Sequence, residues 1–586
     1  MMAAFSRLAR RLARDVLLCA TVFAGVTGSL PANGLQSSTG MVVTSQHLAS
    51  DVGAAILRQG GNAIDAAVAV GYALAVTHPC CGNLGGGGFM LIHLASGKDV
   101  FINFRERAPG AATADMFLDA KGKPVPDRSL DGWLGVGVPG TVLGLETARA
   151  AYGTMSRAAL IEPAVGLAEN GIILEKGDVD TLAEGLAAFR RQPNVAAIFL
   201  NGDRPFAPGD RLVQKDLAVT LRAIQAGGPD AFYRGPIADR LVDASLAGGG
   251  LLTHEDLASY TVEQMAPVRC AYRGYTVLSA PPPSSGGVTL CEMLQILEGY
   301  PLGAWPNRSA QEVHVMTEAM RLAYFDRNTY LGDPDFVTNP VERLTSPAYA
   351  KSLQAKITPG QATASATLGA AVAPPEHATT THYSIVDRLG NAVSVTYTIN
   401  DDFGAKVIAP GTGFFLNDEM DDFTAKPGVA NNFGLVQGKA NAIAPGKRPL
   451  SSMTPTIILK DGHVVLVVGS PGGARIITTV LETIVDVIDH HMPLQAAVDA
   501  PRFHHQWLPD TLAAEPDAIS AHTQTALQKM GYDVVPLQPW GTGNSEDAVG
   551  VAPHDPGAAQ ALGFPAPDLF YGANDMRAPA GSAAAP

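Results

Sequence analysis

The stretch that decides the fold begins at Thr379-Thr380-Thr381-His382-Tyr383-Ser384, where a polar passage meets an apolar one. The next two segments, Thr381 to Asp387 and Ala392 to Ile399, have a strand-like composition and flank Arg388-Leu389-Gly390-Asn391. This pattern predicts a β-hairpin. Upstream, Ile357 to Pro375 is rich in Ala, Thr and Pro, lacks periodicity, and is the best candidate linker in the chain.

Helices and a glycine-rich turn are predicted before this stretch. From Ala49 to Pro79 apolar residues recur at intervals of three and four, with a break at Gly60-Gly61-Asn62, which predicts two helices. The segment Gly82 to Gly88 then leads into Phe89 to Ile92, a short apolar run typical of a strand. The common phosphate-binding glycine patterns are not met, so we expect these glycines to serve close backbone packing.

A second glycine turn lies towards the end of the chain. Val464 to Val468 has the pattern of a buried strand, Gly469-Ser470-Pro471-Gly472-Gly473 is a turn, and Arg475 to His490 has the periodicity of an amphipathic helix. A strand, a glycine turn and a helix in this order can form an anion-binding site. The tail from Ala578 is rich in Ala, Pro, Gly and Ser, and we expect it to fray.

The composition excludes several classes of protein. The 586 residues include 41 Lys+Arg and 55 Asp+Glu, a net charge of −14 that argues against a nucleic-acid partner. With 46% apolar and 16% charged residues the chain is globular, built as two or more domains or as one large interleaved unit. The five cysteines are too few for a disulfide scaffold, and a pair between Cys270 and Cys291 is left open. No metal-ligand pattern stands out, so we expect neither metal nor cofactor.

The N-terminus differs in kind from the rest of the chain. Several arginines precede an apolar run from Val16 to Val26, which small and turn residues follow up to Ala32. This pattern predicts a signal peptide over residues 1–32, because the run is too short to cross a membrane. We therefore expect a periplasmic or secreted protein without a transmembrane anchor. The export route and the cleavage site are left open.

The threonines at the start of the hairpin have two interpretations. Cleavage before one of them would create an N-terminal Thr, which carries a hydroxyl nucleophile and, in its α-amine of pKa about 7.7 to 8.0, a general base. The alternative is that they are ordinary strand residues, since Thr favours strands. The local sequence alone leaves both interpretations open.

A wider set of segments resembles the γ-glutamyltransferase family of N-terminal-nucleophile hydrolases, from about Gly40 to Gly581. The matching segments, in chain order, are Gly60 to Ala67, Gly82 to Met90, Phe104 to Glu106, Gly137 to Thr141, Pro281 to Gly287, Thr380 to Ser384, Arg448 to Met453 and Gly469 to Gly473. The resemblance implies an α+β fold with a four-layer αββα sandwich. It also implies a proenzyme that cuts itself between Thr379 and Thr380.

The resemblance assigns the catalytic roles. Residues 33–379 would form a large subunit and residues 380–586 a small one, and the two would remain together as a heterodimer. Thr380 would be the nucleophile of both self-cleavage and catalysis, and Thr398 would hydrogen-bond it. Gly472 and Gly473 would form the oxyanion hole, a role suited to backbone N–H groups at the start of a helix.

The resemblance also implies the substrate: glutathione and related γ-glutamyl compounds, whose γ-glutamyl group passes to water, amino acids or short peptides. A γ-glutamyl group presents an α-carboxylate and an α-ammonium, which need a cation and acceptors respectively. The matching residues are Arg105, Ser451 and Ser452 for the carboxylate, and Asn400, Glu419 and Asp422 for the ammonium. Phe433 stands where many bacterial relatives have a Tyr, so a hydroxyl contact from this loop to Asn400 is unavailable.

Two other functions remain as alternatives. A related acylase for glutaryl β-lactam amides would share the fold but would have no use for the ammonium-binding set. A non-catalytic periplasmic peptide-binding protein would fit the signal peptide and the acidic composition, and would remain one unbroken chain. His504 and His505 resemble a catalytic pair, but we interpret them as structural because the mechanism takes its base from Thr380.

Overall fold

Two antiparallel β-sheets lie face to face at the centre of the computed structural model, which describes residues 34–125, 127–369, 380–537 and 545–586. The predicted signal peptide lies outside the described residues. In chain order the strands are β1 Leu35–Ser37, β2 Gly40–Thr44, β3 Gly87–His93, β4 Asp99–Phe104, β5 Ile172–Ile173, β6 Arg211–Leu212, β7 Glu263–Met265, β8 Val268–Tyr272, β9 Tyr275–Ser279, β10 Thr381–Asp387, β11 Ala392–Thr398, β12 Thr456–Lys460, β13 His463–Gly469, β14 Phe503–His504, β15 Leu512–Ala514, β16 Val534–Pro536, β17 Asp547–Val551, β18 Phe570–Asn574 and β19 Ser582–Ala584.

Helices cover the outer faces of both sheets. In chain order they are α1 His47–Arg58, α2 Ala63–Thr77, α3 Thr141–Tyr152, α4 Arg157–Asn170, α5 Lys176–Glu184, α6 Leu186–Phe189, α7 Pro193–Phe199, α8 Lys215–Gly227, α9 Pro229–Tyr233, α10 Pro236–Ala247, α11 His254–Ala258, α12 Gly286–Leu297, α13 Ala310–Tyr330, α14 Val341–Leu344, α15 Pro347–Gln354, α16 Ile476–Ile488, α17 Leu494–Asp499, α18 Ala521–Met530 and α19 Pro556–Ala561. Short 3₁₀ turns include Glu419–Asp422 and Gly473–Arg475. No helix in the described ranges is long and apolar enough to cross a membrane.

The order of the strands interleaves distant parts of the chain. The first sheet runs β19-β2-β10-β11-β3-β4-β7 and the second runs β1-β18-β17-β13-β12-β9-β8. Each sheet therefore combines strands that precede Thr380 with strands that follow it. The described residues form one compact unit, which answers the question of domain count in favour of a single interleaved unit.

Side chains along each strand point alternately to the inner face between the sheets and to the outer face under the helices. Met41 and Val43 pack between the two sheets, whereas Val42 packs against helices α1 and α2. On the second sheet, Val467 faces inward and Leu466 faces helices α12, α13 and α16. Because successive side chains of a strand point to opposite faces, each sheet has one inner and one outer apolar face. The result is the predicted αββα sandwich.

The helices, turns and strands around the hairpin follow the sequence closely. Helix α2 begins where Asn62 accepts hydrogen bonds from the backbone N–H groups of Ile64 and Asp65, so the break predicted before it is a helix cap. The glycine segment is packed tightly: a Cβ on Gly86 would lie 2.0 Å from the Thr398 carbonyl oxygen.

Cys270 of β8 and Cys291 of α12 form a disulfide, so the pairing that the sequence leaves open is present in the structure.

One local prediction was wrong. The tail does not fray, because Ser582–Ala584 is a strand whose register pairs Ala583 with Val43 of β2. Helix α16 is amphipathic as predicted, but its polar side is buried as well as its apolar side. Its polar side meets other buried polar groups: Arg308 lies 3.2 Å from Glu482 and 3.0 Å from Asp486.

Candidate active site

The predicted hairpin places the first residue of the candidate small subunit. Strands β10 and β11 pair antiparallel, with Thr381 opposite Tyr397 and His382 opposite Thr396. Extending this register by one residue sets Thr380 opposite Thr398. Even-numbered residues of β10 face the second sheet, as Ser384 shows by donating to the carbonyl oxygen of Asp547 over 2.9 Å. Thr380 and Thr398 therefore lie at the end of the inner face, where they are 7% and 3% exposed.

His382 anchors the hairpin directly beneath Thr380. Its Nδ1 lies 2.8 Å from Thr396 Oγ1 and its Nε2 lies 3.0 Å from Ser384 Oγ. Burial lowers the pKa of His382 to about 3, so the ring is neutral at neutral pH. A Cβ on Gly469 would lie 2.3 Å from the His382 ring, so the second sheet can approach this closely only because residue 469 is a glycine. His382 is thus a packing residue rather than a general base.

A small pocket of about 280 Å³ opens at this end of the sandwich. It brings together every predicted catalytic and substrate-binding residue except Gly472, which is next to the pocket-lining Gly473. Apolar side chains complete the wall. The full lining is Arg105, Thr380, Thr398, Asn400, Glu419, Asp422, Phe433, Leu435, Ser451, Ser452, Met453, Gly473 and Ile476.

The glycine turn after β13 requires glycine at two consecutive positions. Gly472 has φ 127° and Gly473 has φ 54°, both in the left-handed region that side chains disfavour. The 3₁₀ turn Gly473–Arg475 leads directly into α16, so the pair lies at the start of a helix. Backbone N–H groups at a helix start carry partial positive charge and suit an oxyanion.

A buried ion-pair cluster forms another part of the pocket lining. The guanidinium of Arg105 donates to the carboxylates of both Glu419 and Asp422, and its Nε donates to the carbonyl oxygen of Pro449 over 3.2 Å. Burial opposes the charge of Arg105, but the facing carboxylates outweigh burial and raise its pKa. A third acid, Glu106, has its Oε2 3.6 Å from Arg105 Nη1.

Burial also determines the protonation of these acids. It raises the pKa of Glu419 well above its usual range and raises that of Asp422, in both cases against the attraction of Arg105. For Glu106 the same desolvation raises the pKa to about 7. The cluster thus holds its negative charge weakly, and a cation that entered the pocket would stabilise it.

The remaining polar residues are held by the backbone around them. Asn400 adopts φ 78°, its backbone N–H donates to Thr398 Oγ1 over 2.9 Å, and its Nδ2 donates to the Asp418 carbonyl oxygen over 3.2 Å. Ser451 N–H donates to the Pro283 carbonyl oxygen over 2.9 Å. Phe433 lines the pocket at 4% exposure, and its carbonyl oxygen accepts from Gln506 Nε2 over 3.2 Å.

His504 and His505 are absent from the lining of this pocket. His504 Nδ1 lies 2.8 Å from Thr478 Oγ1, and burial lowers the pKa of His504 to about 3 and that of His505 to about 4. Both side chains are buried and hydrogen-bonded, as a structural role requires.

Sequence reasoning missed Arg327, whose Nη2 donates to Ser452 Oγ over 2.8 Å. Its position in the last turn of helix α13 gives no local signal of a role in the site, because Ser285 and Ser452, which it contacts, are far away in the sequence.

Within the described ranges, one group could hold a metal by proximity: His78, Cys80 and Cys81 have donor atoms within 4.8 Å of one another. The two sulfurs of that group are bonded to each other, and none of the three residues lines the pocket.

The arrangement suits acyl transfer from a substrate with an amino-acid head group. A threonine hydroxyl lies beside backbone donors at a helix start, which can stabilise a tetrahedral oxyanion. A guanidinium and two serine hydroxyls can bind a carboxylate, and neighbouring carboxylates can bind an ammonium. The pocket brings these two functions together at one end of the hairpin.

Comparison with known proteins agrees with this geometry. Residues 49–585 match the family described as gamma-glutamyltranspeptidase. The chain is 56% identical to the glutathione hydrolase proenzyme of Pseudomonas sp. (strain A14), over 92% of this chain and 93% of that protein. It is 48% identical to the glutathione hydrolase proenzyme of Escherichia coli (strain K12), over 87% of this chain and 88% of that protein.

The solved structures give the same result for the fold. The crystal structure of cephalosporin acylase from Bacillus halodurans matches with a TM-score of 0.82 and 28% identity, over 96% of this chain and 98% of that chain. Family match, curated relatives and fold agree over nearly the whole length. The chain therefore belongs to the gamma-glutamyltranspeptidase family of enzymes.

Proposed function

We propose that the protein is a glutathione hydrolase and γ-glutamyltransferase that matures by cutting itself between Thr379 and Thr380. The mature enzyme would transfer the γ-glutamyl group of glutathione or a related compound to water, an amino acid or a short peptide. Its large and small subunits would correspond to residues 33–379 and 380–586. An exported location, after removal of residues 1–32, belongs to the same proposal.

One observation carries the proposal: the buried Arg105, Glu419 and Asp422 share a pocket with Thr380. The α-carboxylate of a γ-glutamyl group would bind Arg105, Ser451 and Ser452. Its α-ammonium would bind Glu419, Asp422 and the side-chain oxygen of Asn400. These opposite charges bind each other in the structure, so a bound donor would exchange one set of ion pairs for another.

Self-cleavage would begin when the Thr380 hydroxyl attacks the carbonyl carbon of Thr379. The C–N bond breaks as the Thr380 nitrogen leaves and takes up the proton of the hydroxyl, so an ester forms between the Thr379 carbonyl and Thr380 Oγ and the α-amine of Thr380 is freed. Water then hydrolyses the ester, which frees the carboxylate of Thr379 and the hydroxyl of Thr380. The freed α-amine is the general base that the later reaction requires.

Catalysis would use the same hydroxyl. The α-amine of Thr380 takes the hydroxyl proton as Oγ attacks the γ-carbonyl carbon, and the N–H groups of Gly472 and Gly473 stabilise the oxyanion. The leaving amine takes the proton, and a γ-glutamyl ester remains on Thr380. Water or an acceptor amine then attacks the ester, so one intermediate serves both hydrolysis and transfer.

A glutaryl amide acylase is the second candidate, since the chain has the fold of a relative named cephalosporin acylase. A glutaryl group lacks the α-ammonium, so it would leave Glu419 and Asp422 uncompensated beside a bound carboxylate. These acids favour the γ-glutamyl donor. Membership of an enzyme family excludes the non-catalytic binding protein considered above.

The test compares a γ-glutamyl anilide with its glutaryl analogue on the purified, matured protein. We expect kcat/KM for the γ-glutamyl compound to be at least about 100-fold higher than for the glutaryl compound. A factor of this size corresponds to the loss of the charge-assisted contact that the α-ammonium would make. Thr380→Ala should abolish turnover, and Thr380→Ser should retain part of it because a hydroxyl remains. Preference for the glutaryl compound would establish the acylase instead.

A further inference from the structure

A second buried guanidinium lies behind the pocket. Arg327 belongs to α13 and is 1% exposed. Its Nη2 donates to Ser452 Oγ over 2.8 Å, its Nε to Ser285 Oγ over 2.9 Å, and its Nη1 to Asn328 Oδ1 over 2.7 Å. Among the residues that the structure describes, no carboxylate forms an ion pair with it. Burial lowers the pKa of Arg327 to about 10, so it remains charged at neutral pH.

The hydrogen bond from Arg327 determines how Ser452 meets the pocket. A serine hydroxyl has one proton and two lone pairs, so an oxygen that accepts from the protein directs its own proton elsewhere. Ser452 Oγ accepts from Arg327, and Ser451 Oγ accepts from the backbone N–H of Met453 over 3.0 Å. Both serines line the pocket. They therefore offer two hydroxyl donors to a bound anion.

The charges of the pocket also favour a second cation near the bound carboxylate. Arg105 is already paired with Glu419 and Asp422, so this group carries a net negative charge when both acids are ionised. A substrate carboxylate next to Arg105 would be repelled by that surplus. Arg327 lies on the other side of Ser452, and the field of Asp422 reaches it. Its positive charge offsets the surplus in a region where water screens little.

We propose that Arg327 is a positioning residue for the α-carboxylate of the donor, acting by holding Ser452 as a hydrogen-bond donor and supplying the second positive charge. It does not touch substrate. Ser285, whose Oγ donates to the Ser451 carbonyl oxygen over 2.6 Å, links the same guanidinium to the other serine. Specificity for donors with a free α-carboxylate would thus depend on a residue outside the pocket lining. This inference rests on the proposed function.

The experiment compares two anilides on the matured enzyme: the γ-glutamyl compound and the 4-aminobutanoyl compound, which lacks only the α-carboxylate. Arg327→Gln should raise KM for the γ-glutamyl anilide about 10- to 100-fold, with kcat changed less than about threefold. For the 4-aminobutanoyl anilide, kcat/KM should stay within about threefold of wild type, because no carboxylate is present.

Two further variants complete the design. Arg327→Lys keeps the charge but loses the planar fork of donors, so it should raise KM for the γ-glutamyl anilide by about 3- to 10-fold, less than Arg327→Gln does. If Arg327→Gln fails to mature, a rise of KM in Arg327→Lys that is confined to the γ-glutamyl anilide supports the inference. Arg321→Lys is the matched control, because Arg321 is equally buried on α13 but pairs with Glu318 and Asp510 away from the pocket.

An unchanged KM for the γ-glutamyl anilide in the Arg327 variants would overturn the inference. An equal loss on both anilides would do the same, since it would show a general structural role. Failure of the proposed function looks different: wild-type enzyme itself would show no turnover of the γ-glutamyl anilide. Combining Arg327→Gln with Ser452→Ala adds a check, because two residues that act through one contact should have non-additive effects on KM.

Discussion

At the scale of single residues, the candidate site depends on charges that are buried and mutually dependent. Arg105, Glu419 and Asp422 would each be costly to bury alone, and they are tolerated because they pair. The resemblance assigned each of them a separate contact with substrate. The structure adds that they also bind each other.

The titration of these acids predicts how substrate affinity depends on pH. Burial raises the pKa of Glu419 and Asp422, and raises that of Glu106 to about 7. The negative charge that attracts the α-ammonium therefore decreases as the pH falls through the pKa of Glu106 at about 7, and the raised pKa values of Glu419 and Asp422 act in the same direction. The inhibition constant of L-glutamate should therefore rise between pH 8 and pH 6, by up to about tenfold per pH unit for each proton taken up.

Glutarate is the control for this prediction, because it has no ammonium group. Its affinity should stay constant or improve over the same pH range, since protonation removes carboxylates that repel it. Inhibition constants are the right measurement, because titration of the Thr380 α-amine would change kcat. If the inhibition constants of L-glutamate and glutarate rose by the same factor, this would contradict our assignment of these acids as binding partners of the α-ammonium.

At the scale of elements, the two sheets meet closely where the hairpin lies beneath the glycine turn. A Cβ on Gly469 would lie 2.3 Å from the His382 ring, so Gly469→Ala should destabilise the protein by about 1 to 3 kcal/mol through overpacking. Thermal unfolding of the uncleaved Thr380→Ala chain would measure this without dissociation of subunits. Gly166→Ala, in helix α4 with nothing within 4 Å of the added Cβ, should instead stabilise by about 0.5 to 1 kcal/mol.

The C-terminal strand makes a second prediction at this scale. Ser582–Ala584 pairs with β2, and Ser50 Oγ donates to the Ser582 carbonyl oxygen over 2.7 Å. Deletion of residues 582–586 should lower stability by about 2 to 4 kcal/mol, from several lost hydrogen bonds and some apolar burial. Deletion of Pro586 alone should have little effect. A tail that could be removed without loss of stability would restore the expectation of a frayed end.

The sequence predicts those elements whose signals are local. The break before α2, the hairpin at Thr381 and the glycine turn at Gly472 are all encoded within a few neighbouring residues. The pairing of Ser582–Ala584 with β2 and the contact of Arg327 with Ser452 are not, because the partners are distant in the chain. The burial of the polar side of helix α16 is not encoded locally either, since its polar residues pack against distant polar groups such as Arg308.

At the scale of the whole molecule, cleavage before Thr380 would cut a chain whose two parts share both sheets. In the first sheet β10 and β11 lie between β2 and β3, and in the second β12 lies beside β9. The fragments should therefore remain associated, and native size-exclusion chromatography should show one species that separates only in denaturant. Two separately eluting folded fragments would contradict the interleaved assembly.

Self-cleavage before Thr380 is tested most directly by the intact mass of the purified protein under denaturing conditions, together with the N-terminal sequence of any fragment. We expect a fragment that begins at Thr380 and ends at Pro586, beside a larger one that ends at Thr379. Thr380→Ala should give one uncleaved chain. A single intact chain in catalytically active wild-type protein, or a fragment that begins at another residue, would contradict the assignment of Thr380 as the nucleophile.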